Sequence, residues 1–161
     1  MVPDVIVMGK GMGGGMLVGA FTASPQMMDL LSHDPKLGHI TTFGGHPVIA
    51  AACLATLQEI TETDIMTQAL EKEKLFRSLL VHPLIEEVRG EGLMLAAMTQ
   101  TADIADKVIL RCHQRGLILF WLLFEGRAIR ITPPLTISHD EIRQGCGIII
   151  EVMNEILDEQ H

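Results

Sequence analysis

The sequence predicts an α/β chain in two parts, a piece of a large α/β domain over residues 1–60 and a small α+β domain over residues 61–161. Three observations predict it. The β-branched run Val5-Ile6-Val7 has no helical stripe and reads as a buried strand. Residues 47–60 place apolar and small side chains at helical spacing. Beyond Pro83, short apolar runs bounded by glycines alternate with helical stretches.

Taken in order, Asp4 to Met8 and Leu17 to Thr22 read as strands with a glycine-rich turn between them. Ser24 caps a short helix from Pro25 to Leu31, and Gly38 to Gly45 is a polar loop. A helix from Pro47 to Ile60 has no internal glycine or proline and should lead out of the large domain. A second, charged on one side, runs from about Asp64 to Leu80 and is stopped by Pro83. The strands of the small domain should include Ile85 to Arg89, Leu93 to Met98, Leu117 to Phe120 and Ala128 to Ile131. Ala102 to Gln114 is a helix ended by Gly116, and Ser138-His139-Asp140-Glu141 has capping-box form and opens a last helix to about Leu157.

Lys10 is the residue whose setting invites covalent chemistry. It ends the strand in Asp4-Val5-Ile6-Val7-Met8-Gly9-Lys10-Gly11-Met12-Gly13-Gly14-Gly15, where glycines clear the space around its amine. A lysine partly desolvated there loses some preference for the charged form, and its neutral amine can form a Schiff base with an aldehyde. The alternative is a lysine on a solvated turn. A Walker A loop is excluded, because Gly11 and Met12 stand where a hydroxyl must follow the lysine. Gly9-Lys10-Gly11-Met12-Gly13-Gly14 fits G-x-G-x-x-G, but that fingerprint needs a helix to begin there, and the glycines followed by Leu17 to Phe21 predict a second strand instead.

The chain is long enough, at 161 residues, to bury about 70% of its unfolded surface. Its 48% hydrophobic residues, mean hydropathy of +0.32 and lack of tyrosine suggest apolar surface meant for something beyond the chain. A net charge of −8 with scattered basic residues argues against nucleic acid. The longest apolar run, Leu117 to Phe124, is too short for a bilayer, and no signal-peptide pattern is present, so a cytoplasmic location is expected. Cys53, Cys112 and Cys146 read as reduced core residues. His33, His39, His46, His82, His113, His139 and His161 show no zinc spacing, and no metal is expected. His39 and His46 flank the loop that contains Thr41 and Thr42.

Four motifs occur in one order: the segment from Pro3 to Gly15, then Thr42-Phe43-Gly44-Gly45-His46-Pro47, then Val88-Arg89-Gly90-Glu91-Gly92-Leu93-Met94, then Ile129-Arg130-Ile131-Thr132-Pro133-Pro134-Leu135-Thr136-Ile137. Together they resemble the C-terminal part of a class-III pyridoxal-phosphate-dependent aminotransferase, the group of ornithine, acetylornithine and 4-aminobutyrate aminotransferases. The resemblance runs from about Pro3 to the end of the chain and implies part of a fold-type-I transferase lacking the N-terminal part of the large domain. It implies that Lys10 holds pyridoxal 5′-phosphate as a Schiff base. Thr42 matches a threonine that contacts the cofactor phosphate across a homodimer interface, with Thr41, in the place of the usual serine, implied to bind the cofactor as well and His46 in the place of an asparagine. Arg130 matches the arginine that in some members binds the substrate carboxylate. No residue matches the acid that pairs with the pyridine nitrogen, and Asp4 is poorly placed for it.

Taken alone, Thr42 would also suit a helix cap and Arg130 a structural ion pair. Arg89 and Glu91 read as structural. The function implied is transfer of an amino group from an ornithine- or acetylornithine-like amino acid to a 2-oxo acid, with the isolated chain incomplete and inactive. A non-catalytic fragment or interaction module of the same fold remains open, as does a nucleotide-binding domain using the Gly9 to Gly14 loop.

Overall fold

The computed structural model describes residues 1–159, which form two units, Met1–Thr63 and the chain from Asp64 onward. In the first, β1 (Val5–Gly9) and β2 (Gly19–Ala23) make an antiparallel hairpin in which Val5 faces Ala23 and Gly9 faces Gly19. β2 begins two residues later than Leu17. Ser24 caps α1 (Pro25–Asp29), its Oγ accepting from the Met27 N–H at 3.3 Å, and a 3-10 turn over Leu30–Ser32 replaces the end of the expected helix. Helix α2 (Pro47–Glu62) carries Pro at its first position, where the missing N–H costs nothing.

The hairpin corrects the expectation of a buried strand. Every β1 residue is exposed, Val7 at 79%. A two-stranded ribbon without a packed layer over it cannot remove β-branched side chains from water. Across Met1–Thr63 only Gly13 and Cys53 are buried.

The second unit has a true core. Helix α3 (Ile65–Leu79) precedes β3 (Ile85–Glu91) and β4 (Met94–Thr99); α4 (Ala102–Gln114), β5 (Phe120–Leu122), β6 (Glu125–Ile131) and α5 (His139–Asp158) follow. The sheet is antiparallel throughout, in the order β3-β4-β6-β5. Leu95, Ala97, Ile129 and Ile131 point into the core, following the two-residue alternation of a sheet covered on one face. α5 meets them with Ile142, Cys146, Ile149, Val152, Met153 and Ile156, and α4 with Ile104, Val108, Ile109 and Cys112, both at helical spacing. Each fully buried Ile is worth about 1.5–3 kcal/mol over its exposed state.

Polar groups lock the elements. Thr101 Oγ1 caps α4, and Ser138 and Glu141 form the reciprocal capping box of α5. Arg111 forks onto Glu159 at 2.8 and 2.7 Å, joining α4 to α5. Arg77 donates to the carbonyls of Val88 and Gly90, and Glu73 accepts from the Gly92 N–H at 2.6 Å, fixing α3 to the β3–β4 hairpin. Gly90, at φ 107°, approaches the Met94 carbonyl so closely that a Cβ would overlap it.

Two strands depart from expectation for one reason. The Leu117 N–H is taken by the Cys112 carbonyl at the end of α4, and His113 Nε2 lies 2.6 Å from the Leu119 carbonyl. Residues 117–119 therefore wrap the helix end, and pairing starts at Phe120. The hairpin then turns tightly at Leu123-Phe124, which brings the start of β6 forward from Ala128 to Glu125 and leaves Phe124 99% exposed.

Candidate active site

Lys10 occupies the place where β1 ends and the chain must reverse. It has φ 49°, in the left-handed region that a residue with a Cβ seldom enters, and opens the 3-10 turn Lys10–Gly13. Gly14 continues the reversal at φ 57°, and a Cβ on it would run into the Thr56 hydroxyl, so α2 stands directly behind the turn. The turn leads into a second antiparallel strand rather than a helix, which removes the element that the dinucleotide fingerprint requires. The Lys10 side chain is exposed, not partly desolvated as expected, because β1 itself has no cover. Among the described residues it has no acid partner and no hydrogen bond. Asp4 lies at the far end of β1, roughly 17–20 Å along the strand from the turn.

Thr41 and Thr42 sit in the loop between α1 and α2, both exposed. Two successive turns shape the loop: the Gly44 N–H donates to the Thr41 carbonyl at 3.2 Å and the His46 N–H to the Phe43 carbonyl at 3.2 Å. This leaves the Thr42 hydroxyl and the N–H groups of Thr42 and Phe43 without partners among the described residues. The cap of α2 is supplied by His46, whose Nδ1 accepts from the Val48 N–H at 3.3 Å, so Thr42 is not spent as a cap. His39 Nδ1 lies 3.1 Å from the Leu31 carbonyl.

Arg130 is the sixth residue of β6, paired with Ala96 on one side and Phe120 on the other. Its neighbours Ile129 and Ile131 point into the core, so strand alternation sends the guanidinium out. Arg77, Arg89, Arg111, Arg115, Arg127 and Arg143 each meet a carboxylate. Arg130 meets no carboxylate among the described residues. It borders a cavity of about 420 Å³ whose apolar wall includes Ile118, Phe120, Pro133, Ile137 and Ile149. Ile118 and Phe120 line it where the sequence predicted a strand over Leu117 to Phe120 and pairing starts only at Phe120. Arg89 pairs with Glu87 at 2.5 Å, in keeping with a structural role.

Lys10, Thr41 and Thr42 thus belong to the first unit, with no hydrogen bond or ion pair among them, and Arg130 to the second. The cysteines offer no nucleophile. All three are free and buried, as expected of reduced core residues, and burial pushes the Cys112 thiol up to about 11 and the Cys146 thiol up to about 12. Among the described residues no cluster of His, Cys, Asp and Glu is able to hold a metal ion, and no helix is long and apolar enough to cross a membrane. His161 lies outside the described residues.

Lys10 offers an exposed amine, and the Thr42 loop offers a hydroxyl beside N–H groups without partners among the described residues. Comparison with known proteins gives the family. Residues 1–153 match the family model "Aminotransferase class-III". The chain is 32% identical over 161 residues to an acetylornithine aminotransferase of Caldanaerobacter subterraneus subsp. tengcongensis, covering 97% of this chain and 39% of that protein. It is 36% identical over 157 residues to a leucine/methionine racemase of Thermococcus litoralis, covering 89% of this chain and 34% of that protein. The ornithine aminotransferase structure of Toxoplasma gondii superposes with a TM-score of 0.83 at 27% identity, covering 98% of this chain and 38% of that one. The chain therefore spans a little over a third of the length of the relatives it matches.

Proposed function

The chain belongs to the class-III aminotransferase family, and from that premise we propose that it carries the cofactor lysine and the carboxylate-binding arginine of an enzyme that moves an amino group between an amino acid and a 2-oxo acid. The observation that carries the reading is the unpaired Lys10 amine on a strained turn opened by glycines. Strain of this kind costs of order 1–3 kcal/mol and persists where function needs the side chain in that place. Residues 1–60 then correspond to the end of the large domain and residues 61–161 to the small domain.

Pyridoxal 5′-phosphate, when bound, supplies an aldehyde that condenses with amines and a ring that delocalises the electron pair left at Cα. The Lys10 amine would hold that aldehyde until substrate displaces it, and would then carry the proton to and from the substrate Cα as general base and acid. Thr42, through its hydroxyl and the adjacent N–H groups, would donate to phosphate oxygens, with Thr41 shaping the turn. That contact reaches a second copy of the chain in a homodimer. Arg130 would orient the substrate carboxylate through its planar fork. An ornithine- or acetylornithine-like donor is the reading that the relatives' names favour. A cytoplasmic location goes with it.

Chemical labelling tests the assignment. Incubation with pyridoxal 5′-phosphate followed by borohydride should leave a stable secondary amine on the peptide containing Lys10. Labelling confined to Lys36, Lys72, Lys74 or Lys107 would refute it.

A further inference from the structure

The few residues that Met1–Thr63 withdraws from water gather where the Lys10 turn meets α2. On α2 the residues not fully exposed are Ile49, Ala52, Cys53, Thr56 and Ile60, a stripe at helical spacing. The turn packs on α2. The atoms nearest to the place a Cβ would take on Gly14 are the Thr56 hydroxyl, the Thr56 Cβ at 3.8 Å and the Ala52 carbonyl at 4.0 Å. Thr56 is itself fixed, because its Oγ1 donates to the Ala52 carbonyl at 2.9 Å and a β-branched side chain in a helix has few rotamers open to it. The turn it meets is strained. Lys10 at φ 49° persists only where its surroundings hold it, while Gly14 at 57° and Gly15 at 104° supply left-handed backbone that glycine takes without a steric penalty. The Gly14 N–H donates to the Gly11 carbonyl at 3.1 Å and the Met16 N–H to the Gly13 carbonyl at 3.0 Å. These bonds close the turn without tying it to another element.

We propose that Thr56 is a positioning residue for Lys10: its side chain fills the space left by the missing Cβ of Gly14 and holds the turn against α2 in the conformation that presents the Lys10 amine. The proposal rests on the reading of Lys10 as the amine that takes the aldehyde and adds what keeps that amine in place. A support whose own rotamer is locked by a hydrogen bond holds a reactive group more closely than a free side chain does.

Thr56→Ala and Thr61→Ala separate positioning from helix stability. Thr61 Oγ1 makes the same kind of bond, to the Leu57 carbonyl at 2.8 Å, but stands exposed. Both substitutions delete a hydroxyl and insert a better helix former, so both chains should fold. Two quantities are measured in the full 161-residue chain: the Lys10 Cα and Cβ chemical shifts, which report whether its φ is positive, and the ratio of Lys10 to Lys36 modified by pyridoxal 5′-phosphate and borohydride. Thr56→Ala should move the Lys10 shifts toward those of negative φ and lower the ratio on the order of tenfold, and Thr61→Ala should change neither. Gly14→Ala should disturb the turn by itself, since its methyl meets the Thr56 hydroxyl at a positive φ. In the Thr56→Ala background that overlap is gone, so the double variant should regain part of what Gly14→Ala loses. Equal behaviour of Thr56→Ala and Thr61→Ala, or a double variant no better than Gly14→Ala, would overturn the positioning role, and preferred labelling of Lys10 in the unsubstituted chain would still uphold the cofactor reading. Shifts that respond as expected, with Lys36 labelled as readily as Lys10 in the unsubstituted chain, would overturn the cofactor reading and leave Thr56 as the support of the turn.

Discussion

As the proposed carboxylate site, Arg130 would recognise through shape as well as charge. Arg130→Lys keeps the charge and discards the fork, so in the active enzyme carboxylate substrates should lose about 1.5–3 kcal/mol in kcat/KM while pyridoxal phosphate binding is little changed. Steady-state kinetics beside a cofactor titration checks this. Because Arg130 has no internal partner, the substitution should leave the denaturation midpoint where it was. Glu73 behaves in the opposite way. Its carboxyl is held below the ordinary glutamate range first by the hydrogen bond from Arg77 and then by the Gly92 N–H, against a smaller opposing effect of burial. A depressed pKa means that the unfolded chain binds the proton more readily. The stabilisation is therefore complete above the ordinary glutamate pKa and is lost as pH falls through the lower, folded value. Glu125, Glu141 and Glu159 are depressed in the same direction by Arg127, Ser138 and Arg111. Acid titration of urea midpoints should show falling stability in that window, and Glu73→Gln should reduce the slope.

At the level of elements, α5 is the longest helix and supplies much of one wall of the core. Its start is set by a reciprocal pair: Ser138 Oγ accepts from the Glu141 N–H at 3.2 Å, and Glu141 Oε2 accepts from the Ser138 N–H at 2.8 Å. Ser138→Ala leaves a backbone donor without its partner and should cost about 1 kcal/mol, read as a lower urea midpoint at unchanged m-value. The same loss at Ser24 should be smaller to detect, because α1 has five residues, none of them buried. A cap matters in proportion to the packing that its helix carries.

Across the whole molecule, the two units differ in how much apolar surface they remove from water. The unit from Asp64 onward closes a core from three helices and a four-stranded sheet, whereas Met1–Thr63 leaves Val5, Ile6, Val7, Leu17 and Phe21 exposed on its hairpin. Exposed apolar strands with unpaired edges associate. The purified chain should self-associate through the first unit in sedimentation velocity runs, and Val7→Lys should weaken that association. With no residue matching the acid that keeps the pyridine nitrogen protonated, turnover of the 161-residue chain with pyridoxal phosphate, amino donors and 2-oxoglutarate should fall well below about 1 s⁻¹. A rate at or above that level would show that residues within the chain supply the function of the acid.

Helix positions were legible in the sequence because their signals are local. The Ser138 capping box, the Ala102 start and Gly116 stop of α4, and the Pro47 opening of α2 each concern neighbours within four residues, and the structure reproduces them within one or two positions. The Lys10 turn was legible for the same reason, since glycines after a β-branched strand permit the positive φ that a chain reversal needs, as at Gly14 and Gly15. The fate of Leu117 to Phe124 was not. Eight apolar residues satisfy several registers equally, and the choice was made by the Cys112 carbonyl, the His113 ring and the pairing of Leu122 with Glu125. Burial of β1 was likewise beyond local reading, because a β-branched pattern states which side chains would gain from cover but not whether cover is present. The sequence by itself determined where helices begin and end and which residues carry reactive groups. Only the tertiary structure decided that six arginines are paired and Arg130 is free beside an apolar cavity, because pairing depends on which carboxylates distant segments bring within reach.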